Sequence, residues 1–427
     1  MPIPPPYNLA WRISRPFLPL VLEYRVRNGK EDAARLDERF ARYCHRDDLP
    51  EHPIWIHAVS VGETVAGVAL IEAIRDAGET APVLLTTNTV TAAARVAALP
   101  KSLGVTHLFQ PLDHPGMVDA FLRRLTPRLA VFLESDFWPN LVTMTAAAGI
   151  PVAFVSSQLS DRAAARWQRQ PQMAQALFGA ADLVLAVDRL QADRLTTLGA
   201  RPDSVRIGGS LKLPVTISAP DDKLVAMLRG AAGERRILLA ASTHPGEEKV
   251  VIEAAEKLGE GWLTIIAPRH PDRGKGIQSI CAAAGHEAGR RGTGEPASPG
   301  DRLYIVDTLG EMDSLFAVAD IVFLGGSLVP VGGHNPVEPA AYGLPIVTGP
   351  HVFKNTAEFG ALAAAGVVSD IDDSGSLAST AMALAGAPER LAKIGAAGRA
   401  HAHETGKRPA NAASLCLDLM RGSAPTP

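Results

Sequence analysis

The sequence predicts an α/β protein of two doubly wound, Rossmann-like domains facing across a cleft. Its 427 residues exceed one ordinary core and suit two domains of about 200 residues each. From Ile54 onward, short apolar runs alternate with amphipathic or Ala-rich stretches, the pattern of parallel strands covered on both faces. The series then restarts after a Gly/Pro-bearing connection, "GGSLKLPVTISAPDD".

Taken in order, the first half offers "IWIHAV", "PVLLTT", "THLFQP", "LAVFLES", "PVAFVS", "LVLAVD" and "SVRIGG" as strands. The second offers "RRILLAAS", "WLTIIAP", "RLYIVD", "DIVFLGG", "LPIVTG" and "GVVSDI", with "GRRGTGEPASPGD" at 289–301 expected to be a flexible loop. The boundary falls near residue 210, dividing the chain into an N-terminal segment 1–50, a first domain 51–208 and a second domain 209–427. In such sheets ligands bind beyond the carboxyl ends of the strands, which puts the expected crevice between the domains.

Hydrophobic residues make up 47% and charged residues 20%, a balance that predicts a soluble globule and excludes a disordered or fibrous chain. A net charge of -3 exerts no global pull on nucleic acid, so an anionic partner must meet a local basic site. Cys44, Cys281 and Cys416 lie far apart and are odd in number, without the spacings of a zinc site or a disulfide framework, and suit a reducing cytoplasm. The first 30 residues lack a signal-peptide core and the roughly 20 apolar residues that cross a bilayer. They interleave Trp11, Phe17, Leu18, Leu20, Val21 and Leu22 with Arg12, Arg15, Arg25, Arg27 and Lys30. That mixture fits an anionic membrane surface and equally a helix packed on the first domain.

Every polar motif follows a strand. In "IWIHAVSVGETVAG", Glu63 falls in the first turn of a helix, where it is either a dipole-matching acid or a general base. "LAVFLESDFWPNL" places Glu134 and Asp136 after the next central strand, as caps or as site acids. At the junction, "GGSLK" supplies Lys212, a solvated cation or one aimed at a phosphate or carboxylate. "IIAPRHPDR" ends a strand on Pro268 and offers Arg269 and His270 to an anion. Thr308, Leu309, Gly310 and Glu311 make a strand-to-helix turn with free amides. In "GGSLVPVGGHNPVEP", Gly325, Gly326, Gly332 and Gly333 allow close backbone approach to a ligand, Asn335 caps a helix, Pro336 suits its first turn, and Val337 and Glu338 follow. The expected result is an amide-lined anion pocket with a carboxylate for ribose hydroxyls. Neither the P-loop pattern nor GxGxxG is present.

These motifs have a combined likeness. "SVGE", "ESDFWPNL", "GSLK", "AASTHPGEE", "PRHPDR", "DTLGEMDSLFAVAD" and "GGSLVPVGGHNPVEPAAYGLPIVTGPH", ordered from residue 60 to 351, resemble the 3-deoxy-D-manno-octulosonic acid (Kdo) transferases, glycosyltransferases of GT-B fold. The resemblance implies CMP-Kdo as donor, metal-independent inverting transfer without a cofactor, and a lipid A precursor as acceptor. It also implies peripheral or monotopic residence at the cytoplasmic face of the bacterial inner membrane, through the basic apolar amino terminus, and no nucleic-acid partner. By that likeness Glu63 matches the base, and Glu134 and Lys212 match residues that stabilise the transition state. Pro268, Arg269 and His270, Leu309 to Glu311, and Asn335 to Glu338 match CMP-binding segments. Two departures bear on the acceptor: Gln158 in "VSSQLSDR" stands where the family more often has Arg, and Lys354 precedes Asn355 in "HVFKNTAEF". The alternative is a nucleotide-sugar epimerase of the same fold, or a transferase with another acceptor.

Overall fold

The computed structural model describes residues 3–44, 46–212 and 217–422. Its first sheet contains β1 (Ile54–His57), β2 (Val83–Thr87), β3 (Val105–Phe109), β4 (Leu129–Leu133), β5 (Val152–Ser157), β6 (Leu183–Ala186) and β7 (Val205–Ile207). They are all parallel, in the order β3-β2-β1-β4-β5-β6-β7. The apolar runs read from the sequence become these strands because both faces are buried. Trp55 enters one layer with Leu84, Phe132 and Phe154, while Ile54 and Ile56 enter the other with Leu85, Val131 and Leu133. Alternate side chains of one strand thus supply both cores.

The second sheet contains β8 (Arg236–Thr243), β9 (Trp262–Pro268), β10 (Ala288–Arg290), β11 (Leu303–Ile305), β12 (Ile321–Leu324), β13 (Ile346–Thr348) and β14 (Val368–Asp370), again all parallel, in the order β10-β11-β9-β8-β12-β13-β14. One strand departs from the expectation. β10 lies at the start of the stretch read as a flexible loop, and the rest of that stretch is anchored. Asp307 accepts from the Gly292 amide at 2.7 Å and pairs with Arg290, and the Tyr304 hydroxyl donates to the Glu295 carbonyl at 2.6 Å. Its Gly, Pro and Ser residues carry no apolar pattern, so the pairing is dictated by partners distant in sequence.

The chain divides into two compact units, Met1–Pro214 with Lys407–Pro427, and Val215–Gly406. The sequence boundaries assigned everything after 208 to the second domain. The departure is the last stretch of the helix Pro388–Met420, whose Ala412, Ala413, Cys416 and Leu417 are buried against Ile54, Ile56 and Leu183 of the first sheet. In both units the chain reverses its winding at the sheet centre, between β1 and β4 and between β8 and β12. At such a point neighbouring loops diverge to opposite faces and leave room beyond the carboxyl ends of the strands.

Candidate active site

In the first unit, Glu63 leaves β1 and Glu134 leaves β4, the two strands of the switch point. Ser60 caps the helix Val61–Asp76, its Oγ accepting from the Glu63 amide. The Glu63 side chain reaches back so that Oε2 accepts from the Val59 amide at 2.6 Å. This resembles a capping box shifted by one residue, so the helix-terminal reading of Glu63 is realised. It does not account for the electrostatics. Burial pushes the Glu63 carboxyl up to about 7; the Val59 amide works against this rise, Glu134 adds to it, His57 opposes it and Asp136 adds to it.

Glu134 has φ +59°, a left-handed conformation that costs a non-glycine residue about 1–3 kcal/mol. Its amide donates to the Val155 carbonyl, and its own carbonyl accepts from the Gln158 amide, so the neighbouring strand holds the strained residue in place. The carboxylate is buried, and its Oε2 accepts from Lys212 Nζ and, at 3.3 Å, from Gln158 Nε2. Oε1 is buried without a hydrogen-bond partner among the described residues. Lys212 also lies over the start of the Val61–Asp76 helix, where a Cβ on Gly62 would sit 3.6 Å from its Cε. Glu63, Glu134 and Lys212 therefore share one corner. Gln158, noted in the sequence as a departure, is a partner of Glu134.

Asp136 is held from three sides, its Oδ2 accepting from Trp138 Nε1 at 2.7 Å, His57 Nε2 at 3.0 Å and Asn88 Nδ2 at 3.2 Å. Behind His57, Thr86 Oγ1 accepts from Trp55 Nε1 and lies 2.8 Å from His57 Nδ1. His57 thus bridges Thr86 and Asp136. Sequence reasoning passed over His57. The available signal was a polar residue ending an otherwise apolar strand.

The second unit treats its motifs differently. The Glu247 carboxylate, wholly buried, accepts from the amides of His244, Gly326, Ser327 and Leu328 at 2.8–3.0 Å. Of the stretch expected to form an amide-lined anion pocket, Gly325, Gly326, Gly332 and Gly333 with the helix start at 335–338, the amides of Gly326, Ser327 and Leu328 are thus taken by the protein's own carboxylate. The glycines serve packing of chain on chain: a Cβ at Gly325 would lie 2.6 Å from the Ser242 carbonyl oxygen, and one at Gly333 3.3 Å from the Val352 Cα. The helix starts at Val337 with Pro336, not Asn335, as its N-cap; Asn335 stands one residue earlier, its Oδ1 accepting from the Val337 amide at 3.0 Å in a local turn while its Nδ2 donates to Glu338 Oε1.

What the second switch point does present is a histidine pair. His244 and His334 stack at 5.1 Å with their Nε2 atoms 2.9 Å apart, and the His270 ring stands edge-on to His244. Burial first, then the nearby charges of His244, Arg269, Lys354 and His270, push His334 down to about 4. Arg269 and His270 are exposed beyond β9, which ends on Pro268. Leu309 is exposed and Gly310 has φ +80°. Glu311 is already engaged, accepting from Arg291 at 2.9 Å and from the Thr308 hydroxyl. Among the described residues no group of three or more His, Cys, Asp or Glu is placed to hold a metal ion.

A family model described as 3-deoxy-D-manno-octulosonic-acid transferase (kdotransferase) matches residues 34–215. The chain is 36% identical to the 3-deoxy-D-manno-octulosonic acid transferase of Bordetella pertussis over 81% of this chain and 83% of that protein. It is 31% identical to the enzyme of that name from Haemophilus influenzae, over 75% of each. The chain belongs to the Kdo transferase family. It is accordingly a glycosyltransferase, and its two parallel seven-stranded sheets are the Rossmann-like halves of a GT-B fold. A glycosyltransferase from Rickettsia africae has the same fold with a TM-score of 0.57 at 12% identity, covering 86% of this chain and 99% of that one. So does the UDP-GlcNAc 2-epimerase of Neisseria meningitidis, with a TM-score of 0.57 at 13% identity, covering 87% and 100%. At such identities the likeness is one of fold alone.

Proposed function

We propose that this chain moves Kdo from CMP-Kdo to a hydroxyl of a lipid A precursor in lipopolysaccharide biosynthesis, with inversion and without a metal or cofactor. The observation that carries the reading is the Glu63 carboxyl, buried at the first switch point and pushed up to about 7 beside a Lys212–Glu134 pair. A base works best with a pKa near the working pH, because it is then largely ionised and still takes a proton readily. With Oε2 held by Val59, Oε1 receives the acceptor proton as the hydroxyl oxygen attacks the anomeric carbon and CMP departs with the bonding pair. Lys212 steadies negative charge on the departing phosphate, and the buried Glu134 carboxylate balances positive charge on the sugar. CMP is a good leaving group and needs no acid.

Arg269 and His270 meet the donor phosphate, with Pro268 setting the end of their strand. Leu309, Gly310 and Glu311 and the Asn335, Pro336, Val337 and Glu338 turn frame the cytidine and its ribose. The exposed apolar row on the N-terminal helices, interleaved with arginines, supports a peripheral seat on an anionic inner-membrane surface facing the cytoplasm. No helix among the described residues is long and apolar enough to cross a membrane.

The test is incubation of purified protein with CMP-Kdo and a tetraacylated lipid A precursor, with and without EDTA. The expected result is CMP release and a product heavier by one or more Kdo units in both cases, with a loss of about 10²–10⁴-fold on Glu63→Gln. No product from a folded preparation would overturn the proposal, and turnover of a UDP-sugar without lipid would favour the epimerase reading.

A further inference from the structure

The helices Pro5–Ser14 and Leu18–Arg27 lie against the loops that follow β2, β3 and β4, enclosing about 250 Å³ between themselves and those loops. Trp11, Leu18, Val21 and Leu22 line it on the helical side, Leu112 and Trp138 on the other. Its polar groups are already satisfied. Arg25 and Arg39 both pair with Glu31, Asp113 accepts from the Tyr7 hydroxyl and from the Asn140 and Leu141 amides, and Asn88 donates to Gln110. A guest therefore meets hydrocarbon and rings, with no unpaired charge to recognise a nucleotide or a sugar.

The lining says what the guest is. Val21 lines the space and is also 52% exposed, in a surface row with Phe17, Leu20 and Tyr24. Trp138 and Asn88 line it too, and both donate to Asp136, which is also bound by His57 at the end of β1, the strand that precedes Glu63. One cavity thus joins an exposed apolar side chain to partners of Asp136. We propose that it receives one acyl chain of the lipid acceptor, drawn in beneath the N-terminal helices so that the attached headgroup is delivered to Glu63. This rests on the lipid-acceptor reading above.

Trp11 and Trp138 make the cavity its own reporter, since bromine in contact with an indole quenches its fluorescence. Below its micelle concentration, 12-bromododecanoate is expected to quench the wild-type protein saturably and Leu190→Ser, exposed on another helix and outside the cavity lining, equally. Leu22→Phe, which fills the space, is expected to bind at least tenfold more weakly. Should Leu22→Phe fail to fold, Val21→Phe at the mouth takes its place. No saturable quenching of wild type, or equal binding by the filled variants, overturns the cavity as a chain site. In transfer assays with detergent-dispersed acceptors, the filled variant should raise KM at least tenfold for the tetraacylated acceptor and leave it unchanged for the fully deacylated disaccharide. Weakened fatty-acid binding with an unchanged KM for the tetraacylated acceptor overturns the acceptor as the source of the chain and assigns it to bilayer lipid. If wild type glycosylates neither acceptor, the transfer reading fails while the quenching result still decides the cavity.

Discussion

At Glu63 two demands meet in one carboxylate, which ties off the start of a helix through Val59 and keeps a proton affinity well above that of a free glutamate. The raised value means that the proton is retained until about neutral pH, and a base is competent only without it. The expected pH profile of kcat/KM therefore falls about tenfold per unit below about 7 and levels above it. A profile flat from pH 5.5 to 8 in a chemistry-limited assay would remove Glu63 as the base. Asp136 is one of the charges that raise Glu63, and it is held in place by His57, Asn88 and Trp138. Asp136→Asn is expected to move the acid limb to lower pH, because a neighbouring negative charge is lost. A midpoint that stays put in the folded variant would show that the charge acts elsewhere. At Glu134, one oxygen carries both Lys212 and Gln158 while the other is buried and has no partner among the described residues. Lys212→Met then leaves a buried carboxylate without its cation, with an expected cost of about 3–5 kcal/mol in denaturant unfolding as well as a loss of rate.

Among elements, the loop after β12 shows how a motif's chemistry can be spent on the fold. Four amides converge on Glu247, and Gly325 packs against Ser242 and Thr243 with no space for a methyl group. Gly325→Ala is expected to destabilise the second unit by about 1–3 kcal/mol, read as an earlier denaturation midpoint at unchanged slope. A wild-type midpoint would mean that the loop gives way without cost. The helix Pro5–Ser14 is fastened in the same economical way, by the Tyr7 hydroxyl on the buried Asp113. Tyr7→Phe should cost about 1–3 kcal/mol locally and raise amide exchange across that helix while the sheet stays protected. Unchanged exchange would place the fastening in the apolar contacts alone.

Over the whole molecule, charge and hydrophobicity are separated by location and not by amount. The net charge is only -3, yet the N-terminal helices expose Leu9, Ile13, Phe17, Leu20 and Tyr24 amid five arginines and lysines whose only acid between residues 1 and 30 is Glu23. Phe17→Asp with Leu20→Asp is expected to weaken binding to anionic vesicles at least tenfold, without altering the far-ultraviolet spectrum. Vesicle binding equal to wild type would detach the helices from that role. The second feature at this scale is the exchange of the chain's end. The helix Pro388–Met420 contains Pro409, close to the residue at which the chain leaves the second unit for the first. Proline lacks the amide a helix interior uses.

The sequence by itself determined the fold class, thirteen of the fourteen strands among the described residues, and the strand ends at which Glu63, Glu134, Arg269 and His270 stand. Burial on both faces writes itself into each strand locally, as an apolar run of fixed length, so no distant partner need be known. The tertiary structure alone decided the rest. β10 exists because β11 pairs with it, and the tail beyond Gly406 joins the first unit because that sheet had a face left to cover. The amides of Gly326, Ser327 and Leu328 belong to Glu247, and Asp136 belongs to His57, because a hydrogen bond or a desolvated charge depends on atoms brought together from separate strands. No local pattern of residue types carries that information.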